Sequence, residues 1–99
     1  MKPSEQIRQR LLATGAPFLA NDNIADAINP DELDKLETEV AARVKDLLRA
    51  LVIDVDNDHN TRGTAERVAR MYLREVFAGR YHHQPRLTDF PNAKQLDQV

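Results

Sequence analysis

Hydrophobic positions recur at steps of three and four in two stretches of this chain, and only sparsely elsewhere. The clearer stretch predicts a helix from 30 to about 52. Leu33, Leu36, Val40, Val44, Leu47 and Leu51 form one stripe. Its mean step is that of a straight α-helix rather than a coiled coil. Asn29 stands before it as an N-cap, Pro30 suits the first helical position, and Glu32 lies three residues after the cap, as in a capping box. Asp31, Glu32 and Asp34 also complement the positive end of the helix dipole. A second helix is predicted from about 65 to 78, capped by Thr64 and stopped by Gly79 in the left-handed conformation. Its apolar face is Val68, Met71, Tyr72 and Val76, with Leu73 and Phe77 at the edges.

The rest of the chain is patterned more weakly. Ser4 caps a short helix carrying Ile7, Leu11 and Leu12, which Gly15 and Pro17 stop, and one further helical turn falls between Asn21 and Ile28. A polar turn over 54–63, closed by Gly63, joins the two main helices, which suggests an antiparallel hairpin. Residues 80–99, with Pro85 and Pro91 and few apolar side chains, read as an extended surface loop. The expected fold is therefore mostly α: an N-terminal helical arm (1–29), a helical hairpin (30–81) and an extended C-terminal tail (82–99). Two helices cover only part of each other, so Leu48, Leu73 and Phe77 are expected to stay wet unless Ile7, Leu11, Phe18 and Leu19 of the arm reach them.

Composition narrows the chemistry. The chain has 99 residues, 41% hydrophobic and 30% charged, with a net charge of -2 and no cysteine. These numbers describe one modest globular unit with no bulk attraction to nucleic acid or anionic membranes. They exclude disulfides, thiolate nucleophiles and cysteine zinc sites within these residues. No apolar run follows the N-terminal Met-Lys-Pro-Ser-Glu-Gln, so a cytoplasmic location is expected, with neither a signal peptide nor a spanning helix.

Asp54, Asp56, Asp58 and Asn60 resemble the start of a calcium loop, but His59 and Ala65 hold the positions that need glycine and a bidentate glutamate. His59, His82 and His83 are too few and too badly placed for a zinc site. Arg67, Arg70 and Arg74 share one helix face that could follow a phosphate backbone, yet Glu66 is spaced to pair with Arg70 and Glu75 interrupts the positive surface. No glycine-rich phosphate loop and no nucleophile with its base is found. No catalytic, cofactor-binding or metal-binding residue is assigned.

One stretch carries a specific likeness. Thr64 to Tyr81 reads T-A-E-R-V-A-R-M-Y-L-R-E-V-F-A-G-R-Y, and Thr64, Arg67, Val68, Ala69, Met71, Tyr72, Glu75, Phe77 and Gly79 match the N-terminal helical region of the GTP cyclohydrolase I family. The helix ending Leu47-Leu48-Arg49-Ala50-Leu51 is similar to the family's preceding helix, and Leu96-Asp97-Gln98-Val99 resembles the approach to its first barrel strand. Ala65 replaces the family's proline after the capping threonine, and the turn before Thr64 departs from the usual acidic-Gly-Leu pattern. The likeness covers about residues 40–99, and residues 1–29 add nothing to it.

The resemblance implies a parent fold with an α+β tunnelling-fold barrel. It implies a zinc-dependent hydrolase that converts GTP to 7,8-dihydroneopterin triphosphate and formate, in tetrahydrofolate (pterin, one-carbon) biosynthesis, as a large homo-oligomer. The Cys-Glu-His-His, Gly-Leu-Ser-Lys and Cys/Arg-Gly motifs that carry that chemistry are absent from these residues. The expectation is an N-terminal part of such a protein, as a fragment, truncated product or split-off domain. It would be inactive alone, bind no cofactor, meet GTP only through the full-length protein, and associate with itself or with the missing barrel. Its packing faces would be Leu36, Val40, Val44, Leu47, Val68, Met71, Tyr72 and Val76. The alternative is a stand-alone helical module that binds or modulates a full-length family member.

Overall fold

The computed structural model describes residues 1–83, so the extended tail and the expected approach to a barrel strand lie outside the described residues. Those residues are helical, with no strand among them. Helix α1 spans Pro3–Thr14, α2 Glu32–Ala50 and α3 Thr64–Met71. A wide π-helical segment, Tyr72–Val76, continues α3, and after a break at Phe77 a short α4 spans Ala78–Tyr81. A single 3₁₀ turn, Ala25–Ala27, lies in the α1–α2 connection, where the sequence places one helical turn.

Polar contacts fix how the helices run. Arg74 at the far end of the second arm reaches Glu37 (2.9 Å) and Asp34 (2.5 Å) near the start of α2, while Lys45 near the end of α2 meets Glu66 at the start of α3 (3.6 Å). The two helices are therefore antiparallel, as their patterns require. Helix α1 also runs against α2: Ser4 lies at Glu39 and Arg10 at Glu32. It covers only the first half of α2.

The ends of the helices show where local sequence rules hold and where tertiary contacts win. Gly15 takes φ +71 and closes α1, with the Ala16 N–H returning to the Leu11 carbonyl (3.2 Å). At the start of α2 the expected cap moves. Asp31, with φ +69, is the flanking residue and the helix begins at Glu32. One arm of the capping box survives, because the Asn29 N–H donates to the Glu32 carboxylate (3.0 Å). The same carboxylate receives the Arg10 guanidinium, so the turn over 29–31 lets one buried side chain serve both partners. Before α3 it is Gly63, with φ +78, that flanks the helix, and Thr64 is the first helical residue rather than the cap.

Gly79 is not the left-handed stop; the chain keeps turning through it to Tyr81. Tertiary hydrogen bonds hold that last turn. The Arg80 guanidinium donates to the carbonyls of Phe18 (3.1 Å), Leu19 and Asp22 (3.1 Å). In return Asn23 donates its amide to the carbonyls of Gly79 (2.8 Å) and His82 (2.5 Å), and the Ile24 N–H donates to the Arg80 carbonyl (2.8 Å). These bonds buckle the loop after α1 to the end of the second arm.

The core lies where four segments meet. Ile7 and Leu11 of α1, Ile24 of the loop, Leu36 of α2 and Leu73 of the π-helical segment form one buried cluster, edged by Phe18, Leu33, Val40 and Tyr81. The N-terminal arm is thus part of the core. Leu73, expected to be wet, is among the most buried side chains at 2% exposure, whereas Leu19 of the arm stays exposed. The second arm turns a different face inward from the one its large residues suggest. Ala65, Ala69 and Leu73 are buried, while Met71, Tyr72 and Val76 are exposed and Val68 is half-buried. Ala41 of α2 is likewise buried, and small residues on both helices allow close approach. The π-helical segment then departs from the uniform 3.6-residue period on which the sequence reading rests.

Candidate association surface

The charged residues singled out in the sequence are used structurally or stand apart. Arg74 is spent on Glu37 and Asp34, Arg67 lies near the Thr64 hydroxyl (3.3 Å), and Glu66 pairs with Lys45 across the hairpin rather than with Arg70. The acidic loop satisfies itself: Asp54 accepts from the Asn57 amide and Asp58 from the Asn60 N–H, each at 2.9 Å. His59 and His82 are exposed, and His83 approaches Asp26 (3.3 Å) at the surface. Among the described residues no three His, Asp or Glu side chains gather where they could hold a metal ion. With no cysteine in the chain, its residues do not fit a zinc site of the family type. The groove between α2 and α3, lined by Glu37, Thr38, Ala41, Ala42, Lys45 and Glu66, brings together no nucleophile and base.

What remains is apolar. At 3.6 residues per turn Leu47 and Leu51 continue the stripe of Leu36 and Val40, but α1 ends its coverage at Glu39 and leaves them exposed. Val52, just past the helix, is 92% exposed. It takes φ +66, a conformation that a β-branched residue rarely adopts. On the other arm Met71, Tyr72, Val76 and Phe77 are exposed, with Tyr72 stacked on Phe77 at 6.1 Å between ring centroids. The sequence names Leu47, Met71, Tyr72 and Val76 among the packing faces of the hairpin. They are instead turned outward, because the alanines occupy that contact. Exposed apolar side chains in such number on so small a unit form a candidate association surface.

The chain is similar in sequence to known proteins. Over 101 aligned residues, 99% of the chain, it is 28% identical to GTP cyclohydrolase 1 of Yersinia pseudotuberculosis serotype O:1b (strain IP 31758). Over 100 residues it is 29% identical to GTP cyclohydrolase 1 of Baumannia cicadellinicola subsp. Homalodisca coagulata. The chain resembles GTP cyclohydrolase 1. It spans 42% of the length of these relatives, in their N-terminal part. The alignment runs through residues 1–29 as well, where the motif after Thr64 gives no likeness, in keeping with the place of α1 in the core. No family model matches the chain, and no solved structure matches it. No helix among the described residues is long and apolar enough to cross a membrane.

Proposed function

We propose that this chain is the N-terminal helical part of a cytoplasmic GTP cyclohydrolase I-type protein, and that its role is to support assembly rather than to perform chemistry. The observation that carries the reading is the apolar stripe of α2, which runs on past α1 to Leu47 and Leu51, exposed among the described residues, with Val52 exposed just beyond the helix. Each such side chain gains about 1.5–3 kcal/mol when fully buried. The partner is a second copy of the chain or the barrel of the same protein. The full-length protein would supply the zinc ligands and the GTP site; this chain supplies helices that pack around them.

Sedimentation of the purified chain over a wide concentration range tests the role. The mass should exceed that of a monomer and rise with concentration. Leu47→Glu combined with Leu51→Glu should return it to monomer with unchanged helical content. A strictly monomeric mass throughout, with a sharp cooperative melt, would refute the assembly role. Formate released from GTP above a blank, or one zinc held tightly per chain, would refute the absence of chemistry.

A further inference from the structure

Helix α1 is joined to α2 differently from the way α2 is joined to α3. It contributes two buried side chains, Ile7 and Leu11. Both side-chain links from it to α2 end on carboxylates. The Ser4 N–H (2.9 Å) and hydroxyl (2.5 Å) donate to Glu39, and the Arg10 guanidinium forms a fork on Glu32, with a third bond from Arg10 to the Ala27 carbonyl (2.9 Å). Glu32 is buried, at 6% exposure, so water cannot readily replace Arg10 there. Between α2 and the second arm, by contrast, the ion pairs use Asp34 and Glu66, which are largely exposed, and Glu37, which is half-buried; none is as buried as Glu32, and the contact itself is alanine against alanine and Leu73. Loss of charge on an exposed carboxylate costs little, because such pairs contribute little.

We propose that α1 is a separable clasp, which comes off the α2–α3 pair as a unit in acid while that pair stays folded. Its opening uncovers Leu36 and, beside it in the core, Leu73, and so extends the exposed part of the α2 stripe back from Leu47.

The groups that face the two carboxylates fix the sign. Around Glu32 stand Arg10 from α1, the Asn29 N–H from the preceding turn and Lys35 on α2 itself. The Arg10 hydrogen bond, helped by Asn29 and by both charges, outweighs burial and holds the Glu32 carboxyl below its ordinary value of 4.5. For Glu39, burial pushes upward. Ser4 with its two donors, Lys2 from the start of α1 and Arg43 on α2 together overcome it, so the net direction is again below the ordinary value. The charges that the second arm turns toward α2 are Glu66, paired with Lys45, and Arg74, already held by Glu37 and Asp34. A depressed carboxylate pKa stabilises the docked state fully above the ordinary value, and that stabilisation is lost as pH falls through the folded-state value. The clasp is therefore closed at neutral pH and opens in acid.

Amide hydrogen exchange on the whole chain, corrected for intrinsic rates, tests this at about pH 7 and about pH 3.5. The amides of α1 should lose protection by about tenfold or more relative to those of α2 and α3 on acidification. Glu32→Gln with Glu39→Gln should produce the same selective loss at neutral pH, and Glu39→Gln alone a smaller one. Protection lost in step across all three helices would overturn the proposal. So would a double variant that unfolds throughout, or one that leaves α1 as protected as before. The readout is local to α1 and does not depend on whether the exposed surface binds a second copy.

Discussion

Val52 offers the cleanest test of the local energetics. Helix α2 ends with the Val52 N–H on the Arg49 carbonyl (2.9 Å) and the Ile53 N–H on the Leu48 carbonyl (3.1 Å), a closure that requires Val52 to take φ +66. For an L-residue the left-handed region costs about 1–2 kcal/mol, and a β-branched side chain belongs there least. Glycine removes that cost, but it returns about 0.5–1 kcal/mol of backbone entropy to the unfolded chain. The valine side chain is 92% exposed, so almost no burial is lost with it. The net expectation for Val52→Gly is a gain of about 0.5–1 kcal/mol. For a unit of this size that is a rise of about 2–8 °C in Tm. Circular dichroism melts at low protein concentration measure it, with Val52→Ala as the control that keeps a Cβ in the strained conformation and should gain less. A glycine variant that melts lower than the original, or an alanine variant that matches it, would show that the strain argument is wrong. Run at high concentration, the same pair also reads out the association surface. If Val52 is seated against a second copy, the glycine gain shrinks as the oligomer forms.

Three other outcomes follow from the packing. Leu73→Ala empties the middle of the buried cluster and should cost about 2–5 kcal/mol, read as a lower urea midpoint. Ala69→Leu forces a large side chain into a position with 0% exposure and should destabilise by about 1–3 kcal/mol in the same assay, where ordinary helix propensity would predict no loss. Arg80→Ala frees three carbonyls of the loop over 18–22 and should cost about 1 kcal/mol; Arg80→Lys should not restore it, since one ammonium cannot reproduce a planar fork. Exchange protection of the Ile24 amide is the local measure for both Arg80 variants.

The sequence makes the order and direction of the main helices plain, because those depend on near-neighbour rules. The stripe from Leu33 to Leu51 places α2 within two residues at each end, and Gly15 stops α1 where expected. What the residues hide is the side of the second arm that faces inward. Large apolar residues draw attention to Val68, Met71, Tyr72 and Val76, yet Ala65, Ala69 and Leu73 form their own row at steps of four, opposite Ala41. A row of small residues ending in one leucine signals close helix approach, and reading it that way would have put Leu73 in the core. The π-helical turn has no local signature that the pattern could reveal. Nor does the partnership of Asn23 and Arg80, which join positions far apart in the chain. The surface at Leu47, Leu51 and Tyr72 was visible as apolar, but only the geometry shows it turned outward.

That distant partnership also sets an order of events. The contacts between α2 and α3 span a short connection and can close early. The bond from the Asn23 amide to the His82 carbonyl joins residues 59 positions apart, and the Arg80 bonds join residues 58 to 62 apart. Those bonds cannot form until both helices of the hairpin stand side by side, since only then does the second arm bring Gly79 to His82 back to the loop after α1. The buckle is therefore a late step in folding. On the ribosome, residues through about His82 must emerge before the segment at Phe18 to Ile24 meets its partners, so that segment stays open while the whole hairpin is made.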